Sequence, residues 1–494
     1  MAHFTYRSQY INFAEHLQNA WNPNMYYLEA PNRWSVEDWK KYFTMSKAFG
    51  FTNFEFWISP TLFDRPALTG KSPLHENFKK EMNEIIRVGH EVGITLLGGM
   101  CANCVSPDWY FACPKDKDDK KLIFDLWNQW VEAFPELDSF YIGSGDPGGC
   151  NRNGCNHETF VDLAIEITNE VLLKHNPNMK PFLGTWGTPF SGWGEDLKYI
   201  EGWDGTWAML TDPKFATPET PAHIWNGKRE RAKKAFEYLI SNLSQFPKGT
   251  TVVINTGMDP DTNFTMGGSA KKYAREIAKT NPITTWDYSL AEGELIAYPH
   301  YRLPRMSTKM REWAAAAPYK GGMNYTMTPK LSLMTQYVAG QIMQDTDINP
   351  DIAAADFFEK VFGPEMRGLG ELMEAFEVVH GWGYHPRNLW SKEMLRETYQ
   401  EIIDMLEAAD PTKCTLPIFP DAETYRQDLL WFAREFLKMA QDNCDRAQVR
   451  KEFWEKSQKI YDYIPMSCDP RAHLAADNFS KILEKEVSWA DPIG

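Results

Sequence analysis

The stretch from Ser35 to Pro60, SVEDWKKYFTMSKAFGFTNFEFWISP, contains the unit from which the fold is built. Ser35 is a residue type that caps helix N-termini. Val36, Trp39, Phe43 and Phe49 then share one helical face, which stops at Gly50. An apolar run, Phe54-Glu55-Phe56-Trp57-Ile58, follows and ends at Pro60. Phe78, Met82, Ile85 and Ile86 mark the next helical face up to Gly93, and residues 94–100 read as the next strand. A helix between successive short apolar runs is the pattern of βα units around a parallel sheet.

The pattern continues downstream. Leu122, Phe124, Leu126, Trp127, Trp130, Val131 and Phe134 form a helical stripe closed by Pro135, and strand 140–143 follows. Phe160, Val161, Ala164, Ile167, Val171 and Leu172 form another stripe before strand 182–186. The helix over 232–246 precedes strands at 252–255, 283–288 and 322–325. Residues 25–28 and 207–210 are also strand-like, which gives nine candidates for the eight places of a closed barrel. A doubly wound open sheet is the alternative, but no Gly-rich phosphate loop follows the early strands. Beyond about residue 330 the strand signals stop, and 331–344, 350–362, 365–379, 391–408, 421–443 and 447–464 read as helices. The expected architecture is α/β: a (β/α)8 TIM barrel over residues 1–330 that carries catalysis, then an all-helical C-terminal domain over 331–494 that braces it.

Composition narrows the function. The chain has 494 residues, a formal net charge of -15 and no patch of Lys and Arg interleaved with aromatics, which argues against nucleic acid as a partner. No window carries the run of about 20 apolar residues that a membrane helix needs. The first twenty residues contain Arg7, Glu15 and His16 and so lack a signal-peptide core. The expectation is a soluble, cytoplasmic protein, or a periplasmic or secreted one if a signal has been trimmed. A homo-oligomer is compatible with the sequence. The chain has 19 Trp, 21 Tyr and 29 Phe; most of the Trp belong to the core, and those at strand ends are candidates for stacking on sugar rings.

Active sites of such barrels lie at the C-terminal ends of the strands. The polar residues there are Glu55, the Cys101–Cys104 pair, Asp146, Trp186, Asp204, Asp259 with Asp261, and Trp286-Asp287-Tyr288 with Glu292 and Glu294. A nucleophile elbow and an H-E-x-x-H pair are absent, and only 11 His occur in the chain. Carboxylates and aromatics without these elements suit cleavage of a glycosidic bond, which needs a proton donor and a base or nucleophile.

Asp146 sits in the Gly-rich loop Gly143-Ser144-Gly145-Asp146-Pro147-Gly148-Gly149-Cys150 and is the expected general acid, although a turn-capping Asp is the plainer reading. Asp287, or failing it Glu292, is the expected base or nucleophile. Trp57, Trp186, Trp286 and Tyr288 are expected to form sugar subsites. Glu55 is expected to hold a sugar hydroxyl or pair with a Lys or Arg. Asp259, first of all a turn residue, is the remaining substrate-binding candidate. No cofactor is expected. Cys101, Cys104, Cys150 and Cys155, with His157 nearby, offer a structural zinc site, a disulfide or free thiols.

The Phe140–Cys155 stretch resembles the Gly-rich "D-G-G-G…C…C" loop of a group of bacterial glycosidase-like proteins, the DUF4838-like group, related to alpha-glucuronidases and beta-hexosaminidases. Asp146, Gly148, Gly149, Cys150 and Cys155 carry the match. Trp286-Asp287-Tyr288 with Ala297-Tyr298-Pro299 is similar to their "W-x-Y…Y-P" segment. The run from Tyr337 through Asp356-Phe357-Phe358 to Phe362-Gly363 looks like the opening of their helical domain. The resemblance implies a TIM barrel with a helical C-terminal domain and hydrolysis of a glycosidic bond in an oligosaccharide or glycoside. The Asp-Pro-Gly-Gly order departs from the usual loop, and no Asp-Glu pair of the hexosaminidase kind is present. Rival readings are a sugar isomerase or lyase on the same barrel, and a non-catalytic carbohydrate-binding protein.

Overall fold

The computed structural model describes residues 3–12, 34–57, 73–105, 112–143, 150, 152–185, 233–255, 268–286, 301, 303–325, 330–379 and 391–441. Its centre is a closed barrel of eight parallel strands in sequence order. The first four are β1 (Tyr6–Asn12), β2 (Asn53–Trp57), β3 (Thr95–Cys101) and β4 (Ser139–Gly143). The rest are β5 (Phe182–Gly184), β6 (Thr251–Asn255), β7 (Ile283–Trp286) and β8 (Gly321–Tyr325). Helices alternate with them: α1 (Val36–Phe49), α2 (Pro73–Val92), α3 (Lys117–Ala133) and α4 (His157–Ile167). The series runs on through α5 (233–242), α6 (Gly268–Ile277), α7 (Leu303–Ala316) and α8 (Leu333–Gln344).

Local chemistry sets these elements as the sequence suggests. Ser35 and Asp38 make a reciprocal capping box at the start of α1. Gly50, at φ 108°, ends α1 in a left-handed conformation that a side chain disfavours. On β2, Phe54 and Phe56 face outward, with ring centroids 5.6 and 5.7 Å from that of Trp39 on α1.

Seven of the nine candidate strands take barrel places, while 25–28 and 207–210 lie outside the described residues. The eighth place belongs to β1, which sequence reading passed over. β1 pairs with both β2 and β8 and closes the barrel. Its alternation is hidden because two of its helix-facing side chains, Arg7 and Gln9, are polar. Gln9 donates to Gln336 at 2.8 Å and accepts from the Ser46 hydroxyl, and Arg7 donates to the Phe4 and Gly50 carbonyls.

The C-terminal helices are α9 (Pro350–Phe362), α10 (Leu369–Leu372), α11 (Lys392–Ala408) and α12 (Ala422–Met439). The single helix expected over 365–379 is instead a 3-10 turn at Pro364–Met366, then α10, then a 3-10 turn at Met373–Val379. Pro364 and Gly368 are poor helix formers; Pro364 opens the first 3-10 turn, and Gly368 separates that turn from α10. The helix expected over 447–464 lies outside the described residues.

One apolar cluster runs through barrel and helices alike. Phe49 of α1 meets Tyr337 of α8 at 5.3 Å and Phe357 of α9 at 6.2 Å. Trp34 packs on Phe419 at 4.7 Å. Ten of the twelve residues of α8 are buried, because it is covered by the barrel on one side and by α9 on the other.

Candidate active site

Residues alternate in direction along a strand. Since Phe54 and Phe56 face the helices, Glu55 between them faces the barrel interior. There it is buried, and the Tyr6 hydroxyl of β1 donates to its Oε1. Burial pushes the Glu55 carboxyl up to about 7, against the downward pull of hydrogen bonds from Tyr6 and Ser8. Burial, and next the Glu55 charge, hold the Tyr6 and Tyr141 phenols well above their ordinary value. Both tyrosines therefore stay neutral and able to donate, while Glu55 changes charge near neutrality.

Tyr141 reaches this interior from β4 because β5 offers no side chain at Gly184. A Cβ there would stand 1.8 Å from the Tyr141 hydroxyl oxygen. Tyr6 and Phe182 complete an aromatic floor, with ring centroids 5.2 Å apart. The arrangement combines a buried carboxyl, two phenol groups and apolar ring surface inside the barrel.

Of the predicted site residues, Glu55 is in this interior, where it accepts hydrogen bonds from Tyr6 and Ser8. Trp57 is the last residue of β2 and Trp286 the last of β7. Asp146, Trp186, Asp259, Asp287, Tyr288 and Glu292 lie outside the described residues. Sequence reading missed Tyr6, Ser8 and Tyr141. The i, i+2 spacing of Tyr6 and Ser8 was a usable signal once β1 is known to be a strand.

The cysteines group differently from expectation. Cys113, Cys150, Cys155 and Cys414 are free thiols. The compact sulfur cluster is Cys113, Cys150 and Cys155, all within 4.8 Å of one another and buried. Cys113 takes the place that Cys101 and Cys104 were expected to fill.

No protein-family model and no curated protein matches the sequence. Solved structures do. A GH138 enzyme targeting pectin rhamnogalacturonan II aligns at TM-score 0.52 and 9% identity, over 98% of this chain and 62% of that one. CpGH84D aligns at TM-score 0.48 and 11% identity, over 98% of this chain and 69% of that one. A Thermobaculum terrenum O-GlcNAc hydrolase mutant aligns at TM-score 0.47 and 11% identity, over 99% and 96%. At such identities the GH138 likeness is one of fold: a parallel eight-stranded barrel with helices C-terminal to it.

Proposed function

We propose that the protein is a glycoside hydrolase that cleaves an oligosaccharide or glycoside with two carboxylates, and that it belongs to the DUF4838-like group. One observation carries the reading. β4 ends at Gly143 and β7 at Trp286, so Asp146 and Asp287 follow in sequence three residues and one residue after barrel strands end. Barrels of this class carry their catalytic groups on the segments that follow strand ends. A fold shared with a glycosidase supports it as analogy.

In this mechanism Asp146 protonates the glycosidic oxygen as the bond to the anomeric carbon breaks. Asp287, or Glu292 in its stead, either attacks that carbon or takes a proton from the attacking water. A separation of about 5 Å between the carboxyl groups gives retention, and roughly 6.5–9.5 Å gives inversion. Trp57, Trp186, Trp286 and Tyr288 stack on sugar faces. Asp259 and Glu55 accept hydrogen bonds from hydroxyls.

The test is turnover of a panel of aryl glycosides and plant and bacterial oligosaccharides by the wild type, Asp146→Asn and Asp287→Asn. The wild type cleaves at least one substrate, and Asp146→Asn and Asp287→Asn each lose about a hundredfold or more in kcat. Failure of every substrate, or an Asp146→Asn variant at full activity, removes the proposal.

A further inference from the structure

We infer that Cys113, Cys150 and Cys155 bind a zinc ion as thiolates, fastening the loop after β3 to the loop after β4. Cys113 lies between β3 and α3, whereas Cys150 and Cys155 lie between β4 and α4. The inference stands independently of the proposed hydrolase activity.

The first support is distance. Thiolates bound at about 2.3 Å to a tetrahedral zinc stand about 3.8 Å apart. The Cys113 and Cys155 sulfurs are 3.7 Å apart, and the three sulfurs fit within 4.8 Å. Three buried sulfurs this close repel one another once ionised, and a divalent cation between them reverses that repulsion.

The surrounding backbone supplies the second support. The Arg152 N–H donates to the Cys150 sulfur at 3.4 Å, and the Lys115 N–H donates to the Cys113 sulfur. In each case the donor is two residues after the cysteine, so the chain turns back to solvate its own sulfur. The Asn153 side-chain amide donates to the Cys113 sulfur at 3.4 Å. Such bonds from N–H groups favour thiolate over thiol and orient it, as partners behind a metal ligand do.

The turn between Cys150 and Cys155 is built for this. Asn153 and Gly154 adopt φ 52° and 66°, and Cys155 N–H closes the turn onto the Arg152 carbonyl at 2.9 Å. While protonated, the Cys113 and Cys150 thiols each donate to that carbonyl at 3.9 Å, bonds that are lost with the protons when zinc binds. The Lys115 ammonium spans the two loops to the Gly154 carbonyl at 2.7 Å, and its charge offsets the net negative charge of a zinc with three thiolates. Thiolate sulfur selects zinc over the hard cations that prefer oxygen.

The test uses the full chain, grown with zinc and dialysed extensively. Elemental analysis gives about one zinc per chain. Titration of the apoprotein with cobalt produces a thiolate-to-cobalt charge-transfer band that zinc abolishes. Native thiol titration loses three reactive sulfurs on adding zinc, consistent with Cys113, Cys150 and Cys155. Cys113→Ser and Cys155→Ser retain less than about a tenth of the zinc, whereas Cys414→Ser retains it all. Should the serine variants fail to fold, the cobalt spectrum of the unmutated chain still decides. Four outcomes overturn the inference: no retained metal, iron or copper in place of zinc, a mass showing a disulfide among the three, or full zinc binding by Cys113→Ser.

Discussion

Glu55 is a carboxylic acid that the folded barrel prefers to keep protonated. Its ordinary value is 4.5 and burial lifts it to about 7. Between those pH values the folded chain holds a proton that the unfolded chain has released. Stability therefore falls as pH rises through this window and levels off above it. The displacement corresponds to about 3 kcal/mol. Glu55→Gln keeps an oxygen to accept from Tyr6 but has no charge to bury. Denaturant unfolding at pH 5 and pH 8 should show the wild type losing more stability between the two than the variant, in which Asp428, lifted to about 7 by burial, still contributes a slope. Equal pH slopes in both proteins would show that Glu55 ionises without penalty. At the same scale, Gly184→Ala forces a methyl group onto the Tyr141 hydroxyl, and a cost of about 1–3 kcal/mol is expected by the same measurement.

At the scale of elements, α1 depends on its capping box. Ser35→Ala removes the hydroxyl that accepts from the Asp38 N–H at 3.1 Å and should cost about 1 kcal/mol in chemical denaturation. This cap was legible in the sequence, as were the Gly50 stop and seven of the eight barrel strands. Those elements announce themselves by alternating apolar period and by the residues that end them. β1 was not legible, because Arg7 and Gln9 occupy two of its helix-facing positions and spend part of their polarity on distant partners, Gly50 and Gln336. The cysteine cluster was half legible. Spacing favoured Cys101 with Cys104, but Asn103 and Ala112 bond to each other twice at 2.9 Å. Those bonds pinch the chain and return Cys113 to the neighbouring loop. The pinch depends on a side chain meeting a backbone carbonyl nine residues on, which no local pattern encodes. The interior role of Glu55 followed from strand alternation, yet its partners Tyr6 and Ser8 waited on recognising β1.

At the scale of the whole molecule, α8 decides how the chain divides. A division at residue 330 assigns it to the helical region, but its side chains serve the barrel directly. Gln336 bonds to Gln9 and to the Tyr42 hydroxyl at 3.0 Å, and Gln341 reaches the Phe49 carbonyl at 3.0 Å. Gly340 lies so close to Phe49 that a Cβ would stand 2.2 Å from its carbonyl oxygen. A chain cut after residue 330 exposes the apolar face of α1 and leaves Gln9 and Tyr42 without these partners. It should be recovered as insoluble or protease-sensitive material, while the full chain resists limited proteolysis. A soluble, cooperatively unfolding 1–330 fragment would show that the barrel stands without α8.

The pairing of β1 with β8 also governs how the protein is made. Tyr6 and Gly321 are register partners 315 positions apart, and the Phe4 N–H bonds to the Met343 carbonyl beyond them. At synthesis rates of about 5–20 residues per second, β1 leaves the ribosome roughly 15 to 60 s before its last neighbour exists. Through that interval one edge of the growing sheet has nothing to pair with. The polar side chains that concealed β1 in the sequence, Arg7 and Gln9, also make it a poor template for a neighbouring nascent chain.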